Sequence, residues 1–192
     1  MIKPNPIVLL ISFSPWILFG VLAGPSQTQL ELALLISLIA SLVVGYKDLK
    51  KKMIVPTVTV IFFSISFVAI FFFHLYVIAP YLGMISNTVL TLISLGSLAA
   101  GMPWTSQYAR LEVPEERWND PGFIRINQVL TGFWGLLFLS GLIKSIYMFI
   151  YPGSLGIFGD AYIWISIIIG VVFTVKYPQY AKKRILNKST GK

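Results

Sequence analysis

Six apolar runs, each close to the length that crosses a bilayer, divide this chain from one end to the other, at residues 7–24, 30–46, 53–78, 81–102, 123–151 and 160–176. A hydrocarbon core about 30 Å thick is spanned by roughly 20 helical residues. Inside lipid every backbone N–H and C=O needs an internal partner, and runs of this length supply it as helices. The predicted fold is therefore all-α, a polytopic membrane bundle of about six transmembrane helices forming a single integral membrane domain, 1–192. Composition agrees, because 56% hydrophobic residues, 11% charged residues and a mean hydropathy of +0.81 leave too little polar surface to face water. The chain has no cysteine, which excludes disulfides, thiolate nucleophiles and cysteine metal sites.

The breaks between runs set the orientation. Residues 25–29 form a small polar turn, Lys47 to Lys52 a basic cluster, residues 103–122 the main cytoplasmic loop, and residues 177–192 a basic tail. Lys3, Lys47, Lys50, Lys51, Lys52, Arg110, Arg117, Arg125 and the tail from Lys176 onward all fall on one side of a six-span scheme. Lysine and arginine resist translocation, so both termini are expected in the cytoplasm. Lys144 alone lies outside the scheme. A cleavable signal peptide is the rival for the first run, but its apolar part is too long and no small-residue cleavage site follows a charged leader. The net charge of +8 sits beside apolar runs, so anionic lipid headgroups are the expected partner and nucleic acid is not.

Several features have a plain structural reading. Trp104, Trp118, Tyr46, Tyr76, Tyr81, Tyr151 and Tyr177 fall near span ends, as an aromatic belt would. Gly20 and Gly24 in the first run, and Gly96/Ala100 and Ser97/Gly101 in the fourth, have small-xxx-small spacing that favours helix packing and leaves an oligomer open. Phe71, Phe72 and Phe73 are expected to face lipid. Asp120-Pro121 reads as an N-cap followed by proline in the first helical turn, which starts the fifth helix.

That fifth helix carries the most information. Asn127, Thr131, Trp134, Phe138, Gly141 and Ser145 recur at steps of three and four and make one narrow stripe facing the bundle. A packing seam glued by polar side chains is the preferred account, and the wall of a small cavity, with Asn87 contributing from the fourth run, is the alternative. Lys144 is a charge inside a span, expected either to snorkel outward or to pair with Asp160 or a carbonyl at a broken helix. His74, the single histidine, reads as interfacial, and Glu31 is a candidate partner for either cation. Pro15 and Pro56 are candidate helix-breakers. No catalytic, cofactor-binding or metal-binding constellation is expected, since the carboxylates lie at span ends or in loops.

The loop mixes Arg110 and Arg117 with Glu112, Glu115, Glu116 and Asp120 around Trp118. It is expected to lie as an amphipathic segment on the cytoplasmic surface, either as a salt-bridged cap or as a docking site for a protein partner through Arg110, Glu115, Arg117 and Trp118.

The segment Trp118-Asn-Asp-Pro-Gly-Phe123, then Ile124-Arg-Ile-Asn127 and the Trp134, Phe138, Gly141 series, together with Phe13-Ser-Pro15-Trp16-Ile-Leu-Phe19 in the first run, resembles the bacterial intracellular septation protein A family. The order of hairpins and basic loops agrees over most of the chain. The family's asparagine and tryptophan stand closer together than Asn127 and Trp134, and its loop is shorter. The resemblance implies a multi-pass protein of the bacterial inner membrane, non-enzymatic, acting in cell division and envelope maintenance through contacts with other membrane or division proteins. The alternative is a small transporter or permease with a polar path along the fifth helix. An intramembrane enzyme ranks third, because no catalytic constellation supports it.

Overall fold

The computed structural model of the chain describes residues 6–189. Lys3 and Lys192 lie outside the described residues, as do the side chains of Asp160, Arg184 and Lys188. Within the described residues seven α-helices follow one another: α1 (Pro6–Leu22), α2 (Gln27–Lys50), α3 (Ile54–Phe67), α4 (Leu82–Ala99), α5 (Trp104–Ala109), α6 (Pro121–Ile150) and α7 (Gly156–Ser189). Five helical stretches there are long and apolar enough to cross a bilayer: Gln27–Lys50, Ile54–Phe72, Tyr76–Ala99, Pro121–Ile150 and Gly156–Lys183. The first run forms α1, which is shorter and rises about 25 Å.

Burial is arranged as lipid demands. Bulky side chains such as Val43, Ile65, Phe72, Phe73, Ile143 and Ile168 point outward, while Ser37, Ser41, Thr59, Ser66, Ser94, Ser97, Thr131 and Thr174 are buried between helices. Lipid tails are as apolar as leucine, so nothing drives large hydrocarbon side chains inward, and small hydroxyl-bearing residues let helix backbones approach. Most of the buried hydroxyls donate back to a carbonyl of their own helix, as Thr59 does to Val55 O (2.8 Å) and Ser86 to Leu82 O (2.7 Å). Their polar groups are thereby satisfied inside the fold.

Local sequence explains the helix ends. Ser26 caps α2 through a reciprocal box with Gln29, and Asp120 caps α6 by accepting from Gly122 N (2.7 Å) with Pro121 in the first turn. Neither candidate helix-breaker breaks its helix. Pro15 sits fully buried within α1, and Pro56 lies in the first turn of α3, where the missing N–H has no intrahelical acceptor to lose. The interruption comes further on. α3 loosens into a π-turn at Val68–Phe72, His74 takes a left-handed backbone (φ 51°), and a 3-10 turn at Tyr76–Tyr81, with Pro80 inside it, leads directly into α4. The third run therefore ends at Phe73, earlier than hydropathy alone predicts, and Pro80 belongs to the entry of α4.

Two groups of helices pack together. α1, α2 and α3 form one, α4, α6 and α7 the other, with α1 against α7 and α3 against α4 joining them. The lysine-bearing turn after α2, helix α5 and the start of α6 gather at one end, here termed the basic end. Gln107 of α5 accepts from Ile54 N at the start of α3 (2.9 Å) and ties that end together.

Candidate functional site

The stripe on α6 divides into two parts with different neighbours. In its basic-end half, Asn127 and Thr131 are buried against α5. Thr105 Oγ1 donates to Asn127 O (3.0 Å) and lies 2.9 Å from Thr131 Oγ1, while Asn127 Nδ2 returns to Phe123 O (2.9 Å). This half is a packing seam. In the other half Trp134, Phe138, Gly141, Lys144 and Ser145 line a partly open cavity of about 330 Å³ between α1, α4, α6 and α7. The basic-end half of the stripe thus packs against α5, and the other half borders the cavity.

The floor of the cavity is aromatic. Phe13 stacks on Trp134 at 5.7 Å with the rings 7° from parallel, and meets Trp104 edge-on at 5.4 Å on its other side. Trp16, Phe138 and Leu90 extend this apolar wall. The indole N–H groups point away from the space and are satisfied on neighbouring helices: Trp134 Nε1 donates to Thr174 Oγ1 (3.1 Å) and Trp16 Nε1 to Thr59 Oγ1 (2.9 Å). Trp134 comes this close to α7 because Gly170 leaves room, where any β-carbon would collide with the indole ring.

Polar groups gather toward the other end. Asn87 of α4 packs its amide on Gly141 of α6, a second position where a β-carbon has no room, and its Nδ2 donates to Gly83 O (2.9 Å) and to Ser145 Oγ (3.3 Å). Tyr162 of α7 shares a hydrogen bond with Ser140 (2.5 Å), and Ser166 stands one turn along α7. Lys144 is half-buried in the cavity wall, its ammonium 5.8 Å from the centre of the Tyr162 ring. Asp160, the proposed partner of Lys144, has no described side chain.

The basic end is closed by α5, which corrects two sequence expectations. Trp104 is no belt residue: it is 0% exposed, its Nε1 donating to Ser94 Oγ (3.1 Å) and its backbone N to Ser97 Oγ (3.2 Å). The loop 103–122 accordingly does not lie wholly on the surface. Gly101, with φ 71°, turns the chain back so that Pro103 to Ser106 and Tyr108 enter the bundle. Ser94 and Ser97, one turn apart on α4, give the indole and its backbone their hydroxyl partners. Beyond α5 the loop does reach the surface. Arg110, Glu115 and Arg117 are exposed, and Trp118 is half-buried, with its Nε1 on Val113 O (3.0 Å) and the Arg110 guanidinium 5.0 Å above its ring.

At the opposite end Glu31 accepts from the Tyr76 hydroxyl. His74 is exposed and stacked on Tyr76 at 6.0 Å. Among the described residues no group of three His, Asp or Glu side chains is placed to hold a metal ion.

Sequence reasoning missed the contribution of α7. Gly159, Ile163, Ser166, Gly170 and Thr174 follow one another at steps of four, three, four and four, the same signal that marked the stripe on α6, here hidden in a run of isoleucine and valine. Of the small-residue pairs, Gly20 does pack against Ile163 of α7, whereas Gly96 faces open space. Comparison of the chain with family models, curated proteins and solved structures gives no match.

Proposed function

We propose that this is a non-enzymatic multi-pass membrane protein that admits a small amphipathic molecule into its bundle, acting as a carrier or permease. The observation that carries this reading is the cavity, with Asn87, Lys144 and Ser145 at one end and a floor of Phe13 and Trp134 backed by the buried Trp104 at the other. Charged and amide side chains are expensive within a span, and they are retained where they face a cavity or path. A site near mid-bundle, closed on one side by a short inserted helix, suits an access mechanism in which α5 and the aromatic floor form the inner gate.

Because the chain has no cysteine, single cysteines report cleanly. In sealed vesicles of known orientation, Ser166→Cys is expected to react with a charged, water-soluble methanethiosulfonate from the side opposite the basic end. Ser97→Cys, behind the floor, should react only from the basic side and more slowly. Lack of reaction at position 166 from either side would remove the path.

The second reading is the septation-type membrane protein of the bacterial inner membrane, with both termini cytoplasmic. The exposed Arg110, Glu115 and Arg117 beside Trp118 favour it, since a protein or anionic headgroup could dock there. Charge reversal at Arg110 and Arg117 should abolish crosslinking to a division protein in cells if that contact is the function. Unchanged crosslinking counts against it.

A further inference from the structure

The hydrogen-bond capacity left over in the cavity wall sets what a ligand must bring. Nearly every side-chain donor there is spent inside the protein. Trp16 and Trp134 give their indole N–H groups to Thr59 and Thr174, Ser86 gives its hydrogen to Leu82 O, and Ser145 gives its own to Gly141 O (2.9 Å). Both amide hydrogens of Asn87 are engaged, one with Gly83 O and one with Ser145 Oγ, and the bond to a carbonyl fixes which amide atom is the nitrogen. Ser140 donates to Leu137 O, so in the Ser140–Tyr162 pair the phenol is the donor. Lys144 is likewise engaged within the protein. Two groups remain. Asn87 Oδ1 accepts from no side chain among the described residues, and the Ser166 hydroxyl has no partner among them.

A carboxylate or phosphate head would set its own lone pairs against Asn87 Oδ1. A cationic head would find no Asp or Glu among the described lining residues to balance its charge, and an uncompensated charge costs far more to take out of water than a hydroxyl does. A hydroxyl both donates and accepts, which suits an amide oxygen and a serine hydroxyl together. Phe13, Trp16, Leu90 and Trp134 offer ring faces and hydrocarbon to the rest of such a molecule. We infer that the ligand is an uncharged amphipath with a hydroxyl head, an alcohol or phenol that donates to Asn87 Oδ1 and lays its apolar body on the Phe13–Trp134 floor. This inference rests on the binding-cavity reading above and narrows it to one chemical class. A free alcohol and a monoacylglycerol share this chemistry.

Occupancy is read from the rate at which the methanethiosulfonate labels Ser166→Cys in nanodiscs, because a molecule in the cavity covers that position. Rates are taken relative to Ser154→Cys in the exposed turn after α6, which corrects for surface charge. At equal mole fraction in the lipid, 1-decanol should slow labelling saturably. The matching 1-methoxydecane accepts but cannot donate, and should bind about fivefold or more weaker, the scale of one lost hydrogen bond. Decyl sulfate and decyltrimethylammonium, charged at every working pH, should give no saturable protection. Asn87→Leu keeps the bulk, removes the oxygen and should erase the advantage of alcohol over ether. The alcohol-to-ether comparison on Ser166→Cys alone decides the matter if that second change prevents folding. Stronger protection by 1-decanoylglycerol than by decanol supports a lipid-derived ligand, and the reverse supports a free alcohol. Equal protection by alcohol and ether, protection by a charged probe as strong as that by decanol, or an advantage that survives in Asn87→Leu overturns the inference and leaves the cavity reading in place. Labelling of Ser166→Cys that no probe slows rejects the ligand class alone. Absence of labelling at that position rejects both.

Discussion

Trp134 illustrates how single residues make this site. Its indole is held at one edge by Thr174, its face is covered by Phe13, and Gly170 provides the clearance that lets α7 lie against it. Trp134→Phe removes one interhelical hydrogen bond, which within a bilayer contributes about 0.6 kcal/mol, and should lower the unfolding free energy in SDS titration by about that plus the lost packing. Gly170→Leu forces the indole from its place and should destabilise by roughly 1–3 kcal/mol, the usual range for overpacking. An unchanged SDS midpoint for Gly170→Leu would mean that α7 does not approach α6 this closely. Sequence exposed part of this. The three-and-four spacing picked out Trp134 as facing inward, but a glycine among isoleucines gives no sign of which ring it accommodates, and Trp104 looked interfacial because its partners, Ser94 and Ser97, are ordinary residues of another helix.

At the scale of elements, α5 is the piece that hydropathy could not resolve. A six-residue helix rich in hydroxyls scores as loop, yet it brings Trp104, Thr105, Ser106 and Tyr108 into the bundle, where hydroxyls on α4 and α6 bond Trp104 and Thr105. Burial pushes the Tyr108 phenol above its ordinary value of 10.0. A phenol whose folded pKa exceeds its unfolded pKa contributes stability that is complete below about pH 10 and is lost as pH rises further. In an alkaline absorbance titration, the difference between wild type and Tyr108→Phe should therefore show one tyrosine ionising later than the exposed ones. A difference that titrates with the exposed tyrosines would place α5 at the surface. By contrast the start of α6 was legible, since Asp120-Pro121 acts through local backbone geometry that sequence encodes directly.

At the scale of the whole molecule, the helical membrane class follows from run length and composition, because the bilayer fixes how long an apolar helix must be. The interior is less predictable, as small hydroxyl residues are spread through every run and only tertiary contact shows which of them pack and which surround a space. Here the packing is tight from Trp104 to Thr131 and opens between Trp134 and Lys144. The most direct test of that division is the collision accessibility of single nitroxide spin labels along α6 in nanodiscs, read against water-soluble nickel-EDDA and lipid-soluble oxygen. A label at Ser145 should favour the nickel complex, one at Ile143 oxygen, and one at Thr131 neither. Oxygen preference at 145 equal to that at 143 would mean that no water-filled cavity lies there and would contradict the account.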